Sequence, residues 1–154
     1  MAINFHHQLE TEKNLMYYYI EPEVAGGLGE STILDTSYHP PKIEKLEYRF
    51  DAWLGDDILE TFPCHIVTTE LAKAIRENSL TGISFLHVEI SKSDFFLEEY
   101  PNLKLPEFQW LLIQGTAGTD DFGLSKDYRL VISDLALSIL RKFKINHAET
   151  SAYI

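Results

Sequence analysis

His65-Ile66-Val67-Thr68-Thr69-Glu70-Leu71-Ala72-Lys73-Ala74-Ile75 and Arg129-Leu130-Val131-Ile132-Ser133-Asp134-Leu135-Ala136-Leu137-Ser138-Ile139 follow one plan. In each, a short apolar strand runs into a hydroxyl residue, then an acid, then a helical pattern. Thr69 and Ser133 read as N-caps, because a side-chain oxygen at that position accepts an orphan backbone N–H. Glu70 and Asp134 follow in the first turn, where the positive end of the helix dipole favours an anion. Leu71, Ile75 and Asn78 share one face of the first helix. Leu135, Ile139 and Phe143, with Ala136 and Leu140, form a wider apolar face on the second. Arg141, Lys142 and Lys144 gather at its C-terminal end, as the dipole prefers. The likeness is either a weak internal repeat or two separate strand–helix units, and it is short.

Most of the surrounding chain reads as strands. Met16 to Ile20 is aromatic and β-prone. Val24 to Gly29 reads as a glycine-rich loop, and Ser31 to Leu34 as a short strand. Lys45 to Phe50 alternates, with Leu46, Tyr48 and Phe50 on one side, the period of a half-buried strand. Thr81-Gly82 turns the chain into one strand from Ile83 to Ile90. Ser93 caps a short helix that Pro101 stops. A strand runs from Pro106 to Gln114, a loop from Gly115 to Gly123, and the last residues, 147–154, read as loose, like residues 1–15. A run of strands, a helix, more strands and a final helix argues for one α+β domain over 1–154, mainly antiparallel, with two principal helices.

The chain has 154 residues, with 24 Asp and Glu against 13 Lys and Arg, a formal net charge of −11. Such a chain is repelled by nucleic acid and by anionic lipid, and favours a basic partner. Apolar residues make up 45% of it, enough for a core, so the charge does not imply disorder. Cys64 is the only cysteine, which excludes an internal disulfide and a multi-cysteine zinc site. The N-terminus lacks the pattern of a secretory signal, and no stretch approaches a membrane span. The expectation is a cytoplasmic protein, off the membrane.

No catalytic motif stands out. Gly26-Gly27-Leu28-Gly29 lacks the following helix and the Gly-Lys-Ser/Thr that a phosphate loop needs. The six histidines show no ligand spacing, so no metal and no cofactor is expected. Cys64 and His65 are neighbours on a strand and point to opposite faces, so they do not pair as nucleophile and base. The acid doublets Asp56-Asp57, Glu98-Glu99 and Asp120-Asp121 suit either a carboxylate pair at work on a glycoside or a partner-facing surface. Surface is the stronger reading. Around Phe50 to Glu60, large aromatics mix with acids, the make-up of a hot spot for an Arg/Lys-rich partner; a core Trp53 beside a turn of aspartates competes with it.

Tyr18-Tyr19-Ile20-Glu21-Pro22-Glu23-Val24-Ala25-Gly26-Gly27-Leu28-Gly29, Leu34-Asp35-Thr36 and Phe50-Asp51-Ala52-Trp53-Leu54-Gly55-Asp56-Asp57 resemble a bacterial family of short proteins long catalogued as uncharacterised. Phe62 to Thr69, Leu80 to Phe85 and Leu130 to Ala136 are similar to the immunity-protein families of polymorphic toxin systems. The resemblance covers about residues 17 to 147. It implies a non-enzymatic protein that binds a cognate toxin domain and blocks it. Such families share no catalytic residues, and their contact residues vary with the toxin. The residues singled out for binding are therefore the acids Asp56, Asp57, Glu98, Glu99, Asp120 and Asp121, with Trp53 and Tyr100 as aromatic anchors. The alternatives are a small hydrolase using a carboxylate pair or Cys64, and an adaptor in a secretion assembly.

Overall fold

The computed structural model describes residues 16–154. Its strands are β1 (Tyr17–Glu21), β2 (Gly26–Leu28), β3 (Ile33–Asp35), β4 (Lys42–Lys45), β5 (Glu47–Phe50), β6 (Ile58–Thr61), β7 (Cys64–Thr68), β8 (Ile83–Leu86), β9 (Glu89–Lys92), β10 (Phe108–Ile113), β11 (Phe122–Leu124), β12 (Leu130–Ser133) and β13 (Glu149–Tyr153). Helix α1 (Thr69–Glu77) follows β7, α2 (Asp94–Glu99) follows β9, and α3 (Asp134–Leu140) follows β12. The architecture is α+β with mainly antiparallel sheets; among the described residues only the β5–β9 ladder is parallel.

Two four-stranded sheets dominate, ordered β6-β7-β10-β8 and β11-β12-β1-β13. They share one plan. In each, a helix leaves the second strand, every pairing is antiparallel, and the strand after the helix lies at the far edge. The registers agree residue by residue. Phe108 faces Thr68 and Tyr17 faces Ser133. The Thr69 N–H donates to Glu107 O at 3.0 Å, and the Asp134 N–H donates to Met16 O at 3.0 Å. The likeness of the two strand–helix segments thus extends over two whole units, the second completed by β1 from the opposite end of the chain.

Helices α1 and α3 pack on each other. Val67, Leu71, Ile75 and Leu111 from one unit meet Ile20, Ile132, Leu137 and Leu140 from the other in the principal core. A second core lies on the other face of the first sheet. There Ile66 and Trp110 meet Tyr48 and Phe50 of β5 and Phe96 of α2. Full burial of such a side chain stabilises the fold by roughly 1.5–3 kcal/mol. Tyr48 is held inside by two bonds: its hydroxyl accepts from the Ala25 N–H at 2.9 Å and donates to Glu60 O at 2.9 Å.

Several expectations change. The glycine stretch is not a loop: Gly26 to Leu28 is β2, paired with β5. A Cβ on Gly26 would lie 1.8 Å from Arg49 O, so only glycine allows that approach. The expected strand from Ile83 to Ile90 breaks at His87-Val88 into β8 and β9, which join different sheets. Thr68, not Thr69, caps α1, its hydroxyl accepting the Leu71 N–H at 3.3 Å. Leu135 points outward and Leu137 takes the core position. The segment 147–154 is not loose, because β13 pairs with β1 along its whole length. The expectation of a loose 1–15 lies outside the described residues.

Candidate functional site

The three acid doublets have different surroundings. Asp57 is consumed by the fold. Its Oδ1 accepts the Thr68 hydroxyl at 2.8 Å and its Oδ2 accepts the Lys144 N–H at 2.8 Å. Asp121 repeats the arrangement in the other unit: Oδ1 accepts the Ser133 hydroxyl at 2.7 Å and Oδ2 accepts the Thr81 N–H at 2.8 Å. Each aspartate therefore orients the cap of its own helix and ties down the segment that follows the other helix. Asp120 accepts the Thr116 N–H at 2.7 Å, holding its own loop. Asp56 is 0% exposed and accepts the His147 N–H at 2.8 Å, so it offers no docking surface. Trp53 is part-buried, donates its ring N–H to Asp56 O at 2.9 Å, and sets its edge on Phe108. It belongs to the scaffold and not to an anchor for a partner.

Glu98, Glu99 and Tyr100 stand elsewhere. The hydroxyl of Ser93 caps α2 by accepting the Phe96 N–H at 3.1 Å. Phe96 is the one residue of α2 that is buried. Around it the helix displays Phe95 at 55% exposure, Leu97 at 53% and, at its C-cap, Tyr100 at 40%. Asp94, Glu98 and Glu99 are exposed beside them. The Tyr100 ring leans edge-on against Phe95 and Phe96, with centroids 6.4 and 5.8 Å away. Sequence singled out the acids and the tyrosine here. It missed Phe95 and Leu97, whose outward direction follows from Phe96 taking the inward one.

Chemistry of a nucleophilic kind has little footing at Cys64. Burial pushes its thiol up to about 12, far from the thiolate that attacks. His65 is buried beside Glu60, 3.2 Å away. Glu47 is the centre of a polar knot. The Ser31 hydroxyl lies 2.5 Å from Oε1, the Ser91 hydroxyl 2.6 Å from Oε2, and the Ser31 N–H donates at 2.9 Å. These donors, with Arg49 nearby, hold the Glu47 carboxyl down at about 2.

Folding also gathers ligand types that lie far apart in the sequence. Glu23, Asp56 and His147 present one donor atom each, all within 4.8 Å of one another, although ligand spacing along the chain points to no metal. Glu23 and His147 line a cleft of about 660 Å³ with Glu60, Tyr128, Arg129 and Glu149. No short-range signal could have found this trio, since its members sit before β2, before β6 and before β13. No helix among the described residues is long and apolar enough to cross a membrane. No protein-family model matches the chain, and no curated protein matches it.

Proposed function

We propose that this chain is an immunity-type protein, a non-enzymatic binder that neutralises a basic toxin domain in the cytoplasm of the cell that makes it. One observation carries the reading: α2 exposes Phe95, Leu97 and Tyr100 among Asp94, Glu98 and Glu99. Aromatic anchors ringed by charge are what interface hot spots are made of. A basic partner would find apolar grip and complementary charge in one place. The net charge of −11 supports rapid capture, since complementary fields raise association rates to about 10⁸–10⁹ per molar per second at low salt. The resemblance to immunity families supports the same assignment.

The test is co-purification with the toxin encoded by the neighbouring gene, and protection of cells that express it. The expected result is a complex that weakens as salt rises. It should weaken at least tenfold in Phe95→Ala and in the double variant Glu98→Lys, Glu99→Lys. Absence of both binding and protection sinks the proposal. A stable complex with a secretion component and not with the toxin would put the adaptor reading in its place.

A further inference from the structure

We infer that Glu23, Asp56 and His147 form a binding site for one divalent transition-metal ion beside the cleft that Glu23 and His147 border. The spacing fits an ion. Neighbouring ligands on a six-coordinate ion with bonds of about 2.1 Å lie about 3 Å apart, and Asp56 Oδ1 is 3.1 Å from His147 Nδ1. All three donor atoms fall within 4.8 Å of one another.

The electrostatics ask for a cation. Glu23 is 6% exposed and Asp56 0%, and they face each other across the site. Among the described residues, the ion pairs made by lysine and arginine go to Glu21, Glu47 and Glu89, so the one basic group on this pair is His147, whose Nδ1 meets Asp56 Oδ1. Two neighbouring carboxylates away from water repel each other, and a divalent ion removes that repulsion.

The ligands are already oriented. The Leu54 N–H donates to Glu23 Oε2 at 2.8 Å, and the Asp56 N–H approaches Oε1 at 3.3 Å. The His147 N–H donates to Asp56 Oδ2. Supporting bonds of this kind are what hold metal ligands in place, and each carboxylate oxygen keeps a second lone pair for a metal.

The second unit supplies the control. Its doublet, Asp120-Asp121, stands where Asp56-Asp57 stands, but Asp120 accepts the N–H of Thr116 in its own loop where Asp56 accepts that of His147. The shared framework therefore needs neither the histidine nor the third carboxylate. Glu23 and His147 are additions to it.

An imidazole with two carboxylates suits Zn²⁺ or Mn²⁺ better than the all-oxygen preference of Mg²⁺ or Ca²⁺. Binding requires Nδ1 without its proton, which passes to Nε2 or, from the imidazolium, to solvent.

The experiment is calorimetric titration of the full chain with Zn²⁺ alone and Mn²⁺ alone, in a His6→Gln, His7→Gln background that removes the adjacent histidines as competing ligands. The expected result is saturable one-to-one binding of at least one ion, weakened at least tenfold by His147→Gln. His147 is exposed, so that variant keeps its fold, checked by circular dichroism. Glu23→Gln should weaken binding in the same direction. Absence of one-to-one binding of either ion overturns the site, as does binding unchanged by His147→Gln. Neither outcome depends on a toxin partner.

Discussion

Asp56-Asp57 and Glu98-Glu99 are both acid doublets near a large aromatic, Trp53 in one case and Tyr100 in the other. The first is drawn into the molecule, and the second stays outside. Backbone supply makes the difference. Asp57 receives an N–H from Lys144, 87 residues further on, and Asp56 one from His147, 91 residues further on. Both donors come from the stretch between α3 and β13, whose peptide groups have no sheet partner there. Glu98 and Glu99 lie on a helix that satisfies its own backbone, so nothing draws them in. An acid doublet beside an aromatic is thus either a clasp or a docking face, according to whether unpartnered N–H groups are within reach.

Removing the clasp is the harshest way to test that contrast. Asp57→Ala deletes a charged bond to Lys144 N–H and another to the Thr68 hydroxyl. The unfolding free energy should fall by about 3 kcal/mol, read by urea denaturation, since bonds to charged groups contribute about 1.5–3 kcal/mol each. Asp121→Ala should fall by a similar amount, because its bonds are the same. A loss under 1 kcal/mol in both would dissolve the distinction.

Acid titration tests a third carboxylate that the fold has taken in. The Glu47 carboxyl sits at about 2 when folded against 4.5 for the free side chain. Its contribution is therefore complete above pH 4.5 and disappears as pH falls from there toward 2. Glu47→Gln should cost about 1 kcal/mol at neutral pH, the scale of a solvent-screened charged contact. It should also flatten the stability profile between pH 4.5 and 2. An unchanged profile would show that Ser31 and Ser91 do not hold the charged form.

The smallest effect belongs to the outer doublet. Glu98→Gln with Glu99→Gln should leave stability within about 0.5 kcal/mol of the parent, as surface changes do. A larger loss would mean that α2 is part of the scaffold and not a face free for a partner.

Local chemistry was legible in the sequence, and distant chemistry was not. Ser93 and Ser133 announce their helices because a cap acts within three residues. Tyr48 and Phe50 announce β5 through alternation. The cap of α1 was misplaced by one residue, since Thr68 and Thr69 are equally suited and Asp57 chooses between them. Strand β13, Glu-Thr-Ser-Ala-Tyr, carries no apolar pattern: it is an edge strand that stays largely exposed and is held by backbone pairing. The Glu23, Asp56 and His147 cluster was beyond reach for the same reason as the clasp, because its members meet only after three loops have been placed.

The shared plan of the two units hides an asymmetry in time. Every strand of the first sheet lies between Ile58 and Ile113, so that sheet is complete once Ile113 has been synthesised. The second sheet borrows β1, which precedes the whole first sheet in the chain, and includes β13, which follows α3. Tyr17 must wait for both Ser133 and Tyr153. In thermodynamic terms the delay is cheap, because each doubling of a closed loop adds only about 0.6 kcal/mol. In kinetic terms β1 waits for β12 and β13, and its row of three tyrosines stays unpaired until well after the first sheet has been made.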